Sequence, residues 1–321
     1  MKPNVYITRK LPESIVKKIE EVCRVRMWEE EGQPVPREVL LREAEQADGL
    51  FCLLTEEIDQ EVLNAAKKLK IIANMAVGYN NIDIEEATKK GIIVTNTPDV
   101  LTETTADLTF ALLMATARRI LESNTYLKEG KWKTWSPMQL TGQDIYGAKL
   151  GIIGMGRIGK ALIERAKGFN MDVSYYNRSR KLDVEKEFDI TFLDKESLLK
   201  ESDFVCILVP YSPEVHHFIG EKELQLMKDS AILINTARGG IVDEEALFHA
   251  LKNKEIWGAG LDVFEEEPVS LENQLLYLPN VTALPHIGSA SEATRLEMAN
   301  LAADNLIQVL AGEKAITPVN G

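Results

Sequence analysis

Three stretches of this chain place reactive side chains directly after short apolar runs. They are Ile234-Asn-Thr-Ala-Arg238-Gly-Gly240, Leu261-Asp262-Val-Phe-Glu-Glu-Glu267-Pro268 and Thr282-Ala-Leu-Pro285-His286-Ile-Gly288-Ser289. An arginine set between a strand end and two glycines does not belong to a solvated face. Its planar fork suits a carboxylate or a phosphate. A histidine can exchange a proton near cellular pH. Each stretch also has a plain structural reading: Arg238 as an ion pair, Glu265 to Glu267 as an acidic turn, His286 as a satisfied structural residue. His216, His217 and His249 take that plain reading. The first two follow a Ser-Pro-Glu turn, and the third lies in a charged helical segment.

A fourth stretch is more explicit. The apolar run Leu150 to Ile153 leads into Gly154-Met155-Gly156-Arg157-Ile158-Gly159, and good helix formers follow. Strand, tight glycine turn and helix come in the order a dinucleotide site requires. Gly154 permits the sharp turn, Gly156 lets backbone approach a pyrophosphate, and Gly159 lets helix pack on strand. The helix N-terminus then offers amides and a positive dipole end to the phosphates.

The end of the following strand bears on which dinucleotide. Enzymes that use NAD usually carry Asp or Glu there, about 20 residues past the glycines, to hold the ribose 2′-OH. Here the place is taken by Asn177, followed by Arg178, Ser179, Arg180 and Lys181. A neutral residue and a cationic cluster suit a 2′-phosphate, so the sequence predicts NADPH, with NADH as the alternative.

The elements that must position these residues alternate. Strands are expected at 5–8, 22–27, 48–54, 70–73 and 92–95, with helices between them, the fourth opened by Asp83 as N-cap and closed by Gly91. A long helical region is expected over 102–128. A second series has strands near 149–153, 173–176, 204–208, 231–235, 259–263 and 281–284, with helices at 156–169, 194–200, 221–227 and 243–252. A final helix covers about 291–310. Alternation of this kind means parallel crossovers and an α/β fold.

The 321 residues are 45% hydrophobic and 27% charged, a globular composition long enough for two domains. Asp and Glu number 50 against 37 Lys and Arg, for a net charge of −13. That balance argues against non-specific nucleic-acid binding and against docking on anionic lipid. Cys23, Cys52 and Cys206 each lie in an apolar run and read as buried thiols of a reducing compartment. With no signal-peptide pattern and no membrane-length apolar run, the expected location is the cytoplasm.

Taken together, the motifs resemble those of the D-isomer-specific 2-hydroxyacid dehydrogenases, and among them the glyoxylate/hydroxypyruvate reductases. The likeness covers nearly the whole chain. It is carried by Val77-Gly-Tyr-Asn-Asn-Ile-Asp83, the glycine motif at 154–159, Val209-Pro-Tyr-Ser-Pro-Glu214, Asn235-Thr-Ala-Arg-Gly239, Leu261-Asp-Val-Phe-Glu-x-Glu-Pro268 and Pro285-His-Ile-Gly288. The resemblance implies two Rossmann-like domains with parallel sheets. The substrate domain is then discontinuous, 1–97 with 290–321, and the dinucleotide-binding domain is 98–289.

The same resemblance implies an Arg238, Glu267 and His286 catalytic set. His286 would protonate the carbonyl oxygen of a 2-keto acid as hydride arrives, Glu267 would fix its tautomer, and Arg238 would hold the carboxylate. Val77 and Gly78 would bind the substrate carboxylate through backbone amides. Thr105, Val209, Pro210, Thr236, Ala237, Asp262 and Gly288 would border the cofactor, beside the glycine motif and residues 177–180. Trp135 would reach the substrate from the partner subunit of a homodimer built on the 102–128 region, or would only pack that interface. The expected reactions are glyoxylate to glycolate and hydroxypyruvate to D-glycerate. The rivals are 2-ketogluconate or 3-phosphoglycerate chemistry, formate oxidation, and a nucleotide-sensing corepressor on the same fold. The end of the chain at Gly321 counts against a phosphoglycerate enzyme with an appended regulatory domain. Glu267 as the partner of the histidine counts against the formate type.

Overall fold

Five short, mostly buried strands build the first sheet in the computed structural model, which describes residues 2–320. In chain order the elements are β1 (Asn4–Ile7), α1 (Glu13–Glu20), β2 (Arg24–Met27), α2 (Arg37–Ala44), β3 (Gly49–Cys52), α3 (Gln60–Ala65), β4 (Ile71–Asn74), α4 (Ile84–Lys89) and β5 (Ile93–Thr95). All pairings are parallel and the strand order is β2-β1-β3-β4-β5. The central strands β3 and β4 are buried on both faces, which explains their unbroken apolar runs. Asp59 and Asp83 start α3 and α4 by accepting from Val62 N and Glu86 N.

The chain divides by its contacts into two units. One is this sheet together with the residues from Ser291 onward, and the other is Thr102–Ala290. The C-terminal helix, Glu292–Leu310, lies on the first sheet: a Cβ on Gly49 of β3 would stand 3.1 Å from the Leu306 and Leu310 methyls.

The second unit begins with α5 (Thr102–Ala117) and α6 (Ile120–Lys128). It continues through β6 (Lys149–Ile153), α7 (Arg157–Lys167), β7 (Asp172–Tyr176), α8 (Leu182–Phe188), β8 (Thr191–Phe192), α9 (Lys195–Glu201) and β9 (Phe204–Ile207). It ends with α10 (Glu221–Leu226), β10 (Ile232–Asn235), α11 (Glu244–Lys252), β11 (Gly258–Leu261) and β12 (Val281–Ala283); the C-terminal helix is α12. Seven parallel strands run in the order β12-β11-β10-β9-β6-β7-β8. The order reverses between β6 and β9, and in such sheets ligands bind outside the carboxyl ends at that switch point.

The helical region expected over 102–128 is present as two helices. It breaks after Ala117, and Arg119 takes a left-handed conformation with φ 51°. The Ala117 carbonyl accepts instead from Gln143 N at 2.9 Å, with Gly142 packed where any Cβ would strike that oxygen. A segment distant in sequence thus replaces the helical bond. The structure also adds α8 and β8, which the sequence pattern does not signal. They are too short for a pattern of their own and are defined by packing beside β7.

Candidate active site

The glycine turn joins β6 to α7. Gly154 has φ +105°, and a Cβ there would stand 2.6 Å from Val209 N, so only glycine lets the ends of β6 and β9 meet. This sets Val209 and Pro210 beside the turn. A Cβ on Gly159 would lie 2.6 Å from the Gly154 carbonyl oxygen, the closest approach of helix to turn. Gly156, the N-cap of α7, is different: a Cβ there would meet nothing within 4 Å. Open space thus stands over the start of α7, where Arg157 and Ile158 form its first turn, while Met155 is buried below.

At the end of β7, Asn177 Nδ2 donates to the Ser179 carbonyl at 2.9 Å and shapes the turn. The cations there are not equivalent. Arg180 is ion-paired with Glu185, which also accepts from the Tyr175 hydroxyl at 2.7 Å. Arg178 instead influences Glu214, whose carboxyl lies below its ordinary range through Ser212 first and Arg178 last.

The three reactive stretches fall at the carboxyl ends of β10, β11 and β12, and their side chains converge. His286 Nδ1 lies 2.6 Å from Glu267 Oε2. Glu267 Oε1 accepts from the Phe264 amide at 3.0 Å. Burial pushes the Glu267 carboxyl up. The His286 hydrogen bond and charge, the Phe264 amide and the Arg238 charge together outweigh burial and hold it below the ordinary range. Burial presses the Arg238 guanidinium downward, against the opposing charge of Glu267. Its Nη1 donates to the Ala237 carbonyl at 2.7 Å, and Asn235 Nδ2 donates to its own carbonyl at 2.9 Å, so both ends of the residue are fixed. His286 has φ 54°, and its amide donates to the Asp262 carbonyl at 2.9 Å.

Asp262 is 1% exposed. Its Oδ1 accepts from Ile287 N at 2.8 Å, while Oδ2 is buried with no formed hydrogen bond among the described residues. The nearby Gly288 amide favours the charge but makes no formed bond to Oδ2. Burial raises the Asp262 carboxyl despite Ile287, His286 and Gly288. A Cβ on Gly288 would stand 3.3 Å from Asp262 Oδ2 and 3.6 Å from the Thr105 methyl, so these three residues adjoin. Thr236 is tied to α5 through a 2.7 Å contact with Thr109 Oγ1, which donates to the Thr105 carbonyl at 2.7 Å. Having one hydrogen, Thr109 spends it on Thr105, so Thr236 must donate to Thr109. The sequence alone does not single out Thr109. Its one signal is a hydroxyl four residues after Thr105 on a largely apolar helix.

An orphaned buried acceptor at Asp262 and clear space over Gly156 fit a bound dinucleotide, with a pyrophosphate at the α7 N-terminus and an amide donor at the β11 end. The family follows from comparison. A family model for the NAD-binding domain of D-isomer-specific 2-hydroxyacid dehydrogenases matches residues 110–288. This chain belongs to that family.

Whole-length relatives agree. The chain is 53% identical, over 98% of its length and 94% of the relative's, to a glyoxylate reductase of Korarchaeum cryptofilum. It is 53% identical to a glyoxylate reductase of Pyrococcus horikoshii, covering 100% of this chain and 96% of that protein. Among solved structures, the TT0316 protein from Thermus thermophilus is similar with a TM-score of 0.92 and 44% identity, over 98% of this chain and 99% of that one. The NADPH-dependent glyoxylate/hydroxypyruvate reductase of Sinorhizobium meliloti, solved with NADP and malonate, has a TM-score of 0.86 and 32% identity, over 99% and 97%. As a 2-hydroxyacid dehydrogenase, the protein is an oxidoreductase that uses a nicotinamide cofactor and a small keto or hydroxy acid.

The remaining residues of interest belong to other segments. Val77 and Gly78 follow β4 in the first unit. Trp135 stands 76% exposed in the loop between α6 and β6. His217 bridges two acids, with Nε2 2.9 Å from Glu265 Oε1 and Nδ1 3.6 Å from Asp243 Oδ2, so Glu265 belongs to a structural tie. No helix of the described residues is long and apolar enough to cross a membrane, and no His, Cys, Asp or Glu group among them could hold a metal ion.

Proposed function

We propose that the protein reduces small 2-keto acids, glyoxylate to glycolate and hydroxypyruvate to D-glycerate, with NADPH as the preferred donor. The observation that carries the reading is the 2.6 Å contact of His286 Nδ1 with Glu267 Oε2 beside the Arg238 guanidinium. With Nδ1 engaged, Nε2 is the ring position left to face substrate. The imidazolium gives its Nε2 proton to the carbonyl oxygen. Glu267 holds the ring orientation through its contact with Nδ1. Arg238 anchors the carboxylate and polarises the carbonyl. Bound NADPH supplies the hydride to the carbonyl carbon. Asp262 accepts from the cofactor's carboxamide, and the α7 N-terminus takes the pyrophosphate.

In the first unit, the loop at Val77 and Gly78 offers its backbone amides to a substrate carboxylate. The amides of Val77, Gly78 and Tyr79 donate to no acceptor among the described residues, which supports that role. NADPH preference rests on Asn177 and on Arg178, with Arg180 bracing the turn through Glu185. A homodimer through α6 and the following loop is supported by the exposed apolar side chains of Ile120, Leu121, Leu127, Trp132 and Trp135.

Steady-state kinetics with glyoxylate, hydroxypyruvate, 2-ketogluconate and 3-phosphohydroxypyruvate, each with NADPH and NADH, test the reading. The highest kcat/KM is expected for one of the first two with NADPH. Absence of turnover on every keto acid refutes it and leaves the nucleotide-sensing role on the same fold.

A further inference from the structure

The peptide groups of the Val77–Tyr79 loop are aimed by two side chains that the reaction scheme leaves unused. The Val77 carbonyl accepts from Asn96 Nδ2 at 2.8 Å, and the Gly78 carbonyl accepts from Asn74 Nδ2 at 3.0 Å. In a trans peptide the carbonyl of one residue points opposite to the amide of the next. Holding the Val77 carbonyl therefore turns the Gly78 N–H away from Asn96. Holding the Gly78 carbonyl turns the Tyr79 N–H away from Asn74. Neither amide is spent on a protein acceptor among the described residues. Successive backbone donors of this kind attract anions.

Both asparagines are themselves held. Asn74 is fully buried at the end of a strand whose other residues, Ile71, Ile72 and Ala73, are apolar. A carboxamide is costly there unless bonded. Among the described residues its oxygen meets only the weak donor Cys52 Sγ, at 3.7 Å, so the bond to Gly78 is its principal one. Asn96 is pinned by Thr317. Its amide donates to the Thr317 carbonyl at 3.3 Å, and its carbonyl accepts from Thr317 Oγ1 at 2.6 Å. The Thr317 amide in turn donates to Asn305 Oδ1 at 2.9 Å, from fully buried Asn305 on α12.

We propose that Asn74 and Asn96 are positioning residues that preset the Gly78 and Tyr79 amides for the substrate carboxylate, with Thr317 and Asn305 as the anchor of Asn96. This rests on the carboxylate-binding role given above to the Val77–Gly78 loop. The preset matters because an amide pair that must reorganise on binding gives up part of its interaction energy.

The test uses the full chain saturated with NADP and titrated calorimetrically with oxalate, an unreactive dicarboxylate, alongside glyoxylate kinetics. Asn74→Leu and Asn96→Ala should each raise the oxalate Kd and the glyoxylate KM about tenfold, the scale of one charged hydrogen bond. The fall in kcat should be smaller, and the NADPH Kd, measured by fluorescence, should not change. Asn96 is only partly buried, so Asn96→Ala carries the test if Asn74→Leu fails to fold. Folded variants that keep the wild-type oxalate Kd and KM overturn the proposal, as do variants that lose only thermal stability. If the wild type neither reduces a keto acid nor binds oxalate, the functional reading falls and this proposal with it. If the wild type does both and the variants match it, only the positioning role falls.

Discussion

Glu267 joins the chemistry of the site to its stability. Its carboxyl is held below the ordinary range because His286, Phe264 and Arg238 outweigh the cost of burial. A depressed carboxyl contributes stability above its unfolded value, about 4.3 for glutamate, and loses it as pH falls through the folded value. Glu267→Gln should therefore flatten the acid side of the stability curve, which urea titrations from neutral pH to pH 3 would measure. In catalysis the same change replaces the carboxylate that holds the His286 ring, so kcat for glyoxylate reduction should fall while the NADPH Kd stays the same. His286→Ala should lower kcat by roughly 100-fold or more, the scale of a positioned acid, with the NADPH Kd unchanged. Near wild-type turnover in that variant would remove His286 from the proton-donor role. At the β7 end, Arg178→Ala should weaken NADPH binding by roughly 1.5–3 kcal/mol and spare NADH, and Asn177→Asp should move preference toward NADH. Arg180→Ala should have a smaller effect, because that side chain is paired with Glu185. Equal loss in the two arginine variants would contradict this division.

At the scale of elements, the turn from β6 to α7 separates binding from packing within a few residues. Gly156 faces open space and Gly159 faces the Gly154 carbonyl oxygen. Gly156→Val should raise the KM for NADPH by about tenfold or more while leaving the thermal midpoint near wild type. Gly159→Ala should cost about 1–3 kcal/mol of stability, because overpacking against backbone exceeds the helix propensity that alanine gains. Midpoints by circular dichroism and cofactor titrations would separate the two. Every strand but β8, and this turn, were legible because apolar runs, glycines and Asp caps are local signals. The break at Arg119 was not, since Ala115-Thr-Ala-Arg-Arg119 holds no glycine or proline and the cause is the return of Gly142 and Gln143. For the same reason Thr109, Asn74 and Asn96 carried little weight in sequence. Their partners lie on other elements, and only the resemblance singled out Arg238, Glu267 and His286 from the other polar residues at strand ends.

On the scale of the whole molecule, all three cysteines are buried and free, and burial raises the thiols of Cys23, Cys52 and Cys206. A thiol reagent should titrate none of them quickly in the native protein and all three in denaturant. A fast-reacting thiol would show that one of these cores opens readily. The two units also differ in when they can be finished. Thr102–Ala290 is continuous, whereas the first sheet waits for α12, which is encoded after every other helix and strand. On the ribosome, β3 and β4 must therefore emerge long before Leu306 and Leu310 arrive to cover Gly49, leaving an apolar sheet face open throughout translation of the second unit. The nascent first unit is then a natural client for chaperones that hold exposed apolar surface, and slow elongation before α12 is made would lengthen its exposure.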